Sequence, residues 1–331
     1  KKQKKKRRKI QFLVRFLKIR KNRCLNEKRE NELSIKALAI INPASGKGNV
    51  LEKVDEIKKN LEEQDMEIDV KITKKDYNAR RIIEDYEKEK DLILICGGDG
   101  TLNEAVTAIM NKKLEQISLA FIPLGTTNDL AKTLQIPAKN INITKNLLNS
   151  KAKIIDVGKF NKKRYFCYIA SFGVITDVSY ITSQKSKHKY GRLAYYINAI
   201  KELINIPSYK IKLKYDNNKI EDEFIYGGIS NSESIAGFRW FAKDEIQLDD
   251  GIFEGIFIRK PKTFKGYCKI LGSFLKKDYN DNEYILFMQA NEFEIESEEE
   301  ISWTIDGEFA GHLNNVKINN CKKALELVIT N

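Results

Sequence analysis

The residues best suited to chemistry in this chain lie where apolar runs break into glycine. Leu92-Ile93-Leu94-Ile95-Cys96 leads into Gly97-Gly98-Asp99-Gly100-Thr101-Leu102-Asn103-Glu104, which predicts a strand, a tight turn and then a helix. Glycines at 97, 98 and 100 permit backbone angles closed to other residues and let amide groups approach an anion. Asp99 can hold a magnesium ion that bridges phosphates. Taken alone, the stretch is also compatible with a turn whose glycines are purely steric. Two further stretches share its form. Ala37-Leu38-Ala39-Ile40-Ile41 ends in Asn42-Pro43-Ala44-Ser45-Gly46-Lys47-Gly48, and Leu119-Ala120-Phe121-Ile122 ends in Pro123-Leu124-Gly125-Thr126-Thr127-Asn128-Asp129. In an open parallel sheet the carboxyl ends of the strands share one edge, so three such loops can converge on a nucleotide. The sequence contains no G-x-x-x-x-G-K-[ST], and Gly98-x-Gly100-x-x-Asn103 lacks the last glycine of the dinucleotide turn. A Walker ATPase and an ordinary Rossmann dehydrogenase are therefore poor candidates.

The elements that must carry these loops follow from periodicity. Val50, Leu51, Val54, Ile57 and Leu61 recur at helical spacing, Ile68, Val70 and Ile72 alternate as a strand ending at Thr73, and Ala79, Ile82, Ile83 and Tyr86 mark a second amphipathic helix. Ala105, Val106, Ala108 and Ile109 continue the helix after the glycine turn. Such alternation predicts an α/β domain, a parallel sheet covered by helices, over residues 35–135. Past Pro137 the texture changes to strand-like runs at 154–160, 165–171, 209–215, 224–230, 251–258 and 291–295, with a hairpin turn at Asp216-Asn217-Asn218. Helices are expected only at 193–204 and 264–275. This predicts a second, largely antiparallel β-rich domain over 136–322, with the tail Ala324-Leu325-Glu326-Leu327-Val328-Ile329 (323–331) returning to the first.

With 331 residues, each domain is large enough for a core of its own. The five cysteines are scattered and odd in number, without paired metal spacing, and suit reduced thiols of a cytoplasmic protein. Two histidines exclude a multi-histidine metal centre. No apolar run approaches the roughly 20 residues that span a bilayer. The net charge is +13, and residues 1–23 carry thirteen Lys or Arg and no acid, so the body is neutral and the arm (1–34) holds the excess. Ile10, Phe12, Leu13, Val14, Phe16, Leu17 and Ile19 follow the lysine run and cover somewhat more than half of a helical wheel. That pattern suits an interfacial helix on an anionic membrane, each basic residue near the surface contributing about 1 kcal/mol. A solvated leader is the alternative. A nucleic-acid partner is not expected, because it usually leaves its basic stripe on the folded domain.

Asn42-Pro43-x-Ser45-Gly46, Gly97-Gly98-Asp99-Gly100-Thr101-x-Asn103-Glu104 and Pro123-x-Gly125-Thr126-x-Asn128-Asp129 resemble the three nucleotide-binding motifs of the diacylglycerol kinase catalytic domain, in its soluble bacterial lipid kinases above all. Thr304-Ile305-Asp306-Gly307-Glu308 resembles the family's late Asp-Gly-Glu motif, and Leu248-Asp249-Asp250-Gly251 its metal-binding turn. The likeness runs from about Ile35 to the C-terminus. Gly-Gly-Asp-Gly alone is shared with NAD kinases and sphingosine kinases, whereas five motifs in this order are specific. Leu130 departs from the pattern, standing where a phenylalanine is frequent, and the first 30 or so residues match nothing in it.

The resemblance implies an NAD-kinase-like nucleotide domain, a C-terminal β-sandwich, and transfer of phosphate from ATP to a membrane lipid hydroxyl, giving phosphatidate when the acceptor is diacylglycerol. Backbone amides of 45–48 and 97–101 would cradle phosphates, and Thr73 matches a nucleotide-contacting position. Lys47 suits a phosphate as a point charge or is a solvated loop lysine. Asn128 and Asp129 would hold ribose or the magnesium shell, or cap a helix after Thr127. Asp306 and Glu308 would serve the acceptor, one of them as general base, since a carboxylate beside another holds a proton more tightly. Reach favours Asp306 slightly. Gln247, Asp250 and the carbonyl of Ile252 match the metal turn, where Mg2+ would organise structure; a plain type I turn closed by Gly251 is the alternative. The expected setting is cytoplasmic, peripheral to the inner membrane face through the arm; a homodimer is compatible with it. Two other functions compete: an NAD kinase, which has no use for a membrane-seeking arm, and a nucleotide-binding regulator without catalysis, against which Asp99, Asp306 and Glu308 count.

Overall fold

The computed structural model describes residues 35–45, 50–114, 117–126, 128–134, 136–137, 144–145, 147, 150–173, 207–231, 234–235, 238–239, 247–276, 278–279 and 282–329. The basic arm and the helix expected at 193–204 lie outside the described residues. The chain forms two compact units, 1–155 with 323–331, and 156–322.

In the first unit β1 (Ile35–Ile41), β2 (Met66–Ile72), β3 (Leu92–Gly97) and β4 (Ser118–Pro123) form a parallel sheet in the order β4-β3-β1-β2. β3 and β4 are buried at every position, as continuous apolar runs in a sheet covered on both faces require. The connections are helical: α1 (Val54–Glu62, after a 3-10 turn at Leu51–Lys53), α2 (Ala79–Asp85), α3 (Asp99–Asn111) and a short α4 (Asp129–Thr133). Ile57 and Leu61 bury as their spacing predicts, but Leu51 is 51% exposed because the 3-10 turn rotates it off the apolar face. α2 is held at both ends by side chains. Asn78 Oδ1 accepts from Arg81 N at 3.1 Å, and Lys112 Nζ donates to the carbonyls of Ile83, Glu84 and Tyr86 at 3.1, 2.7 and 3.2 Å. This unit continues past the boundary expected at 135. Thr144 is fully buried, with Asn60 Nδ2 on its hydroxyl at 2.9 Å and Gln64 Nε2 on its carbonyl at 2.6 Å.

The second unit is antiparallel. Its elements are β5 (Lys151–Phe160), β6 (Arg164–Phe166), β7 (Ile169–Gly173), β8 (Tyr209–Tyr215), β9 (Asn218–Ser230), the two-residue ladder β10 (Ser234–Ile235) and β11 (Phe238–Arg239), β12 (Phe253–Arg259), α5 (Phe264–Lys276), β13 (Ile285–Ala290), β14 (Glu292–Ile305) and β15 (Glu308–Ile329). β9 and β14 each pair with β8 along one part of their length and with β7 along another. They enclose an aromatic core of Phe160, Phe166, Phe172, Phe224, Phe253, Phe257, Phe293 and Trp303. α5 covers a second cluster with Tyr267, Ile270, Leu271 and Phe274 against Ile256 and Ile258.

Two strand expectations need correction. The run 165–171 is two strands, because the amides of Cys167 and Tyr168 donate to the Asp306 carboxylate and not to a neighbouring strand. The sequence pattern also missed β13 and most of β15; in β15 the exposed polar residues hide the alternation. The last residues of β15 do return to the first unit. Glu326–Val328 pair in parallel with Ser118–Ala120 on β4, and Ser118 Oγ donates to Glu326 Oε1 at 2.5 Å.

Candidate active site

In the first unit the carboxyl ends of β1, β2, β3 and β4 lie at one edge, in register at Ile41, Ile72, Cys96 and Ile122, and the loops there are in contact. Asn42 takes its amide to Cys96 O at 2.8 Å, accepts Ala44 N on Oδ1 at 3.0 Å, and donates from Nδ2 to Thr101 Oγ1 at 2.8 Å. Thr73, buried, donates its amide to Ile41 O at 2.9 Å. A Cβ on Gly125 would lie 2.8 Å from Gly98 Cα and 2.8 Å from Asn128 Oδ1, and one on Gly98 would lie 3.9 Å from Ser45 Oγ. Only glycine permits that approach of the second and third loops. Gly98 caps α3, so Asp99, Gly100 and Thr101 form its first turn, where free amides and the helix dipole favour an anion.

Asn128 adopts a left-handed backbone at φ 49° and does not cap α4 with its side chain. Nδ2 donates back to Gly125 O at 2.8 Å, and Oδ1 is buried without a partner, an acceptor suited to a sugar hydroxyl or a metal-bound water. Glu104 is engaged elsewhere. Its oxygens accept Asn78 Nδ2 at 3.0 Å and Ala79 N at 3.1 Å, so it fastens α2 to α3 instead of facing a nucleotide. Thr126 is exposed at the loop bend. Gly46, Lys47 and the side chain of Asp129 lie outside the described residues. Burial pushes the Cys96 thiol up to about 12, which leaves it no role as a nucleophile.

In the second unit, Asp306 and Gly307 form the two-residue turn between β14 and β15. Both have positive φ, 48° and 84°, the Asp-Gly signature of a type I′ hairpin. Asp306 folds back under its own turn. Oδ1 accepts Tyr168 N at 2.9 Å and Ile169 N at 3.0 Å, Oδ2 accepts Cys167 N at 2.9 Å, and Asp306 N donates to Ile169 O at 2.8 Å. Three amide donors stabilise the ionised carboxylate against taking a proton and occupy three of its roughly four lone-pair positions. Burial, and then the Asp306 charge, push the adjoining Cys167 thiol well above its ordinary range. Glu308, by contrast, is exposed at the start of β15. The two acids flank one glycine and stand in unlike surroundings.

The turn at 247–252 has Gln247 and Ile252 exposed and Asp250 half-buried. Asp250 Oδ1 accepts Ile252 N at 2.9 Å, and Gly251 takes φ 89°. Asp156, wholly buried, holds the turn from behind, with Oδ2 accepting Gly251 N at 2.6 Å and Asn320 Nδ2 at 3.1 Å. A lone acid inside the apolar run Ile154-Ile155-Asp156-Val157 was the available signal for it. Among the described residues no three His, Cys, Asp or Glu side chains group to hold a metal. The donors here are instead oxygens of mixed origin, the Gln247 amide, the second Asp250 oxygen and the Ile252 carbonyl, a set that fits a hard cation. Nearby, burial pushes the Glu254 carboxyl up to about 8.

Comparison with known proteins gives the constellation a family. Residues 36–160 match the diacylglycerol kinase catalytic domain. The chain is 31% identical over 284 residues to a diacylglycerol kinase of Staphylococcus carnosus, covering 84% of this chain and 90% of that one. It is 28% identical to a diacylglycerol kinase of Bacillus subtilis, covering 86% and 93%. The crystal structure of a diacylglycerol kinase from Bacillus anthracis superposes with a TM-score of 0.70 at 25% identity, covering 89% of this chain and 97% of that one. The chain belongs to the diacylglycerol kinase family, and is a lipid kinase that phosphorylates an alcohol.

Proposed function

We propose that the chain transfers the γ-phosphoryl group of ATP to the hydroxyl of diacylglycerol, giving phosphatidate and ADP. The observation that carries the donor half is the packing of Gly98 against Gly125 beside Ser45, at the amino end of α3. Amides of Ser45 and of 97–101, with Gly46 and Lys47, would hold the phosphates. Thr73, Gly125, Thr126, Asn128 and Asp129 would surround the rest of the nucleotide, and Asp99 would place its magnesium. The acceptor oxygen attacks the γ-phosphorus, the bond to the β-phosphate oxygen breaks, and the hydroxyl proton passes to a carboxylate.

The hydrogen bonding at the Asp-Gly turn supports Glu308 as that carboxylate. Asp306 is spent on three amides and acts as the positioning residue that fixes the turn. This reverses the slight preference for Asp306 drawn from side-chain reach. At the second metal position Gln247, Asp250 and Ile252 would hold Mg2+, which when bound would brace the turn against Asp156. The basic arm would bring the enzyme to an anionic membrane; no helix among the described residues is long and apolar enough to cross one.

The test is incubation with labelled ATP, magnesium, a panel of lipids and NAD in mixed micelles. Label in phosphatidate is expected. Label in another lipid would move the acceptor, and label in NADP would overturn the reading.

A further inference from the structure

Helix α5 divides sharply between an inner and an outer face. Tyr267, Ile270, Leu271 and Phe274 are buried on the cluster that holds Ile256 and Ile258, while Phe264, Lys265, Cys268, Lys269 and Lys276 are exposed. At about 100° per residue, Lys265, Lys269 and Lys276 fall within about 40° of one another and form one stripe along the helix. Gly272 lies on the same side, and a Cβ there would meet no atom within 4 Å, so nothing among the described residues covers the middle of this face. Residues 259–277 carry seven Lys or Arg and no acid, although the body as a whole is neutral.

Neighbouring acids answer only part of this charge. Arg259 pairs with Asp222 at 2.7 Å, Lys260 with Glu223 at 3.0 Å and Lys269 with Glu283 at 3.2 Å. Lys262, Lys265 and Lys276 have no acidic partner among the described residues. A lysine stripe by itself is an ordinary solvated face; Phe264 sets this one apart. It is 57% exposed, belongs to neither hydrophobic cluster, and stands between Lys262 and Lys265 in the chain. Its position is fixed. The Thr263 carbonyl accepts Gly266 N at 3.0 Å and Tyr267 N at 3.4 Å, and a Cβ on Gly266 would lie 2.6 Å from Pro261 Cβ and 2.9 Å from Tyr284 Cζ. The first turn of α5 is thus clamped against the segment leaving β12, with the phenyl group outward. A ring held in water beside unpaired lysines suits an anionic bilayer, where phosphates receive the ammonium groups and the acyl boundary receives the ring.

We propose that the outer face of α5, with Lys262 and Phe264 at its start, is a docking surface for an anionic lipid bilayer, built into the folded second unit and separate from the amino-terminal arm. The choice of a bilayer as the partner rests on the lipid-kinase reading, since the acceptor resides there. Each lysine close to such a surface is equivalent to about a fivefold gain in partition at low salt.

The experiment uses the full chain with vesicles of equal parts phosphatidylglycerol and phosphatidylcholine, and with phosphatidylcholine alone. The triple variant Lys262→Gln, Lys265→Gln, Lys276→Gln should partition about tenfold or more weakly onto the anionic vesicles, while replacement of the same three by Arg should keep the binding. Phe264→Trp should show a blue-shifted emission with anionic vesicles that brominated acyl chains quench, measured against the wild type, whose Trp240 and Trp303 give the background. All these side chains are exposed, and unshifted melting temperatures confirm that the variants fold. Phosphorylation of dioctanoylglycerol in neutral detergent should be unchanged in each. If the triple Gln variant bound anionic vesicles as tightly as the wild type, or if the Phe264→Trp emission did not move, the docking face would be refuted and binding would fall to the arm alone. An equal emission shift with phosphatidylcholine alone would refute the part given to the lysines. Failure of the wild type to phosphorylate dioctanoylglycerol would refute the lipid-kinase reading, and the vesicle measurements would still decide for or against this face.

Discussion

Replacing Asp306 by Asn separates positioning from catalysis at the acceptor end. Asn tolerates the left-handed backbone at φ 48° nearly as well as Asp. Its single carbonyl oxygen can keep the two bonds from Tyr168 N and Ile169 N, while its NH2 group faces Cys167 N, which donated to Oδ2 at 2.9 Å. One charge-assisted bond is lost, two weaken to neutral ones, and a donor is set against a donor. Bonds to charged groups contribute about 1.5–3 kcal/mol each and neutral ones about 1. The amides are only part-buried, so water recovers some of this, and a net cost of about 2 kcal/mol is expected. For a unit of this size that lowers its melting temperature by roughly 4–8 °C. Because the chain has two compact units, the transition should be followed by hydrogen exchange in a peptide covering 165–171, where protection should fall by about 10–30-fold. Glu308→Gln should leave that protection intact, lower kcat by about a hundredfold or more, and remove the acidic limb of the pH–rate profile. Asp306→Asn should retain the limb. An Asp306→Asn enzyme with native exchange rates, no turnover and no acidic limb would refute this assignment and return the base to Asp306.

Other outcomes follow from the same geometry. Asp99→Asn should reduce turnover by about a hundredfold or more while moving stability by no more than about 1 kcal/mol, the scale of a lost helix-dipole contact, as thermal melts and activity assays would show. Gly125→Ala should raise the KM for ATP more than it lowers kcat, since its Cβ would lie 2.8 Å from Gly98 Cα and push the two loops apart; nucleotide binding by calorimetry checks this. The Asp69 carboxyl is held down to about 2, chiefly by the Tyr86 hydroxyl and then by Lys90 and Lys88. That contribution to stability is present above pH 4 and is lost as pH falls through 4 toward 2. Tyr86→Phe should flatten this part of an acid denaturation curve. Deleting residues 1–23 should cut sedimentation with anionic liposomes, and salt should mimic the deletion in part, because screening leaves the burial of Phe12, Phe16 and Leu17.

The sheet carrying the donor loops was legible because β3 and β4 are uninterrupted apolar runs that end in glycine, and both period and punctuation are local signals. The second unit was only half legible. β15 follows no simple alternation, since a bulge at Trp303/Thr304 shifts its partner and its outward residues are polar. The roles within the site were hardest to foresee. Nothing local in Asp306-Gly307-Glu308 reveals that one acid will meet three amides from 167–169, or that Glu104 will turn to Asn78 and Ala79. Those bonds join residues 25 or more positions apart, and depend on tertiary approach. Asp156 was detectable in principle, because an acid amid apolar neighbours demands donors of its own.

The long strand β15 sets an order on the birth of the molecule. The described strands of the first unit begin at β1, yet the outer edge of β4 is paired only when residues 326–328 arrive. Until then the nucleotide-binding sheet waits with the outward edge of β4 at Ser118–Ala120 unpaired, while its other edge is held by β3, and that outward edge is open to strand addition by another chain. Meanwhile the whole second unit can be made and folded within the interruption. A chain cut short before residue 326 would have every phosphate loop present and that edge still bare. Quality control that senses exposed strand edges would thus be reading whether residues 326–328 have been translated.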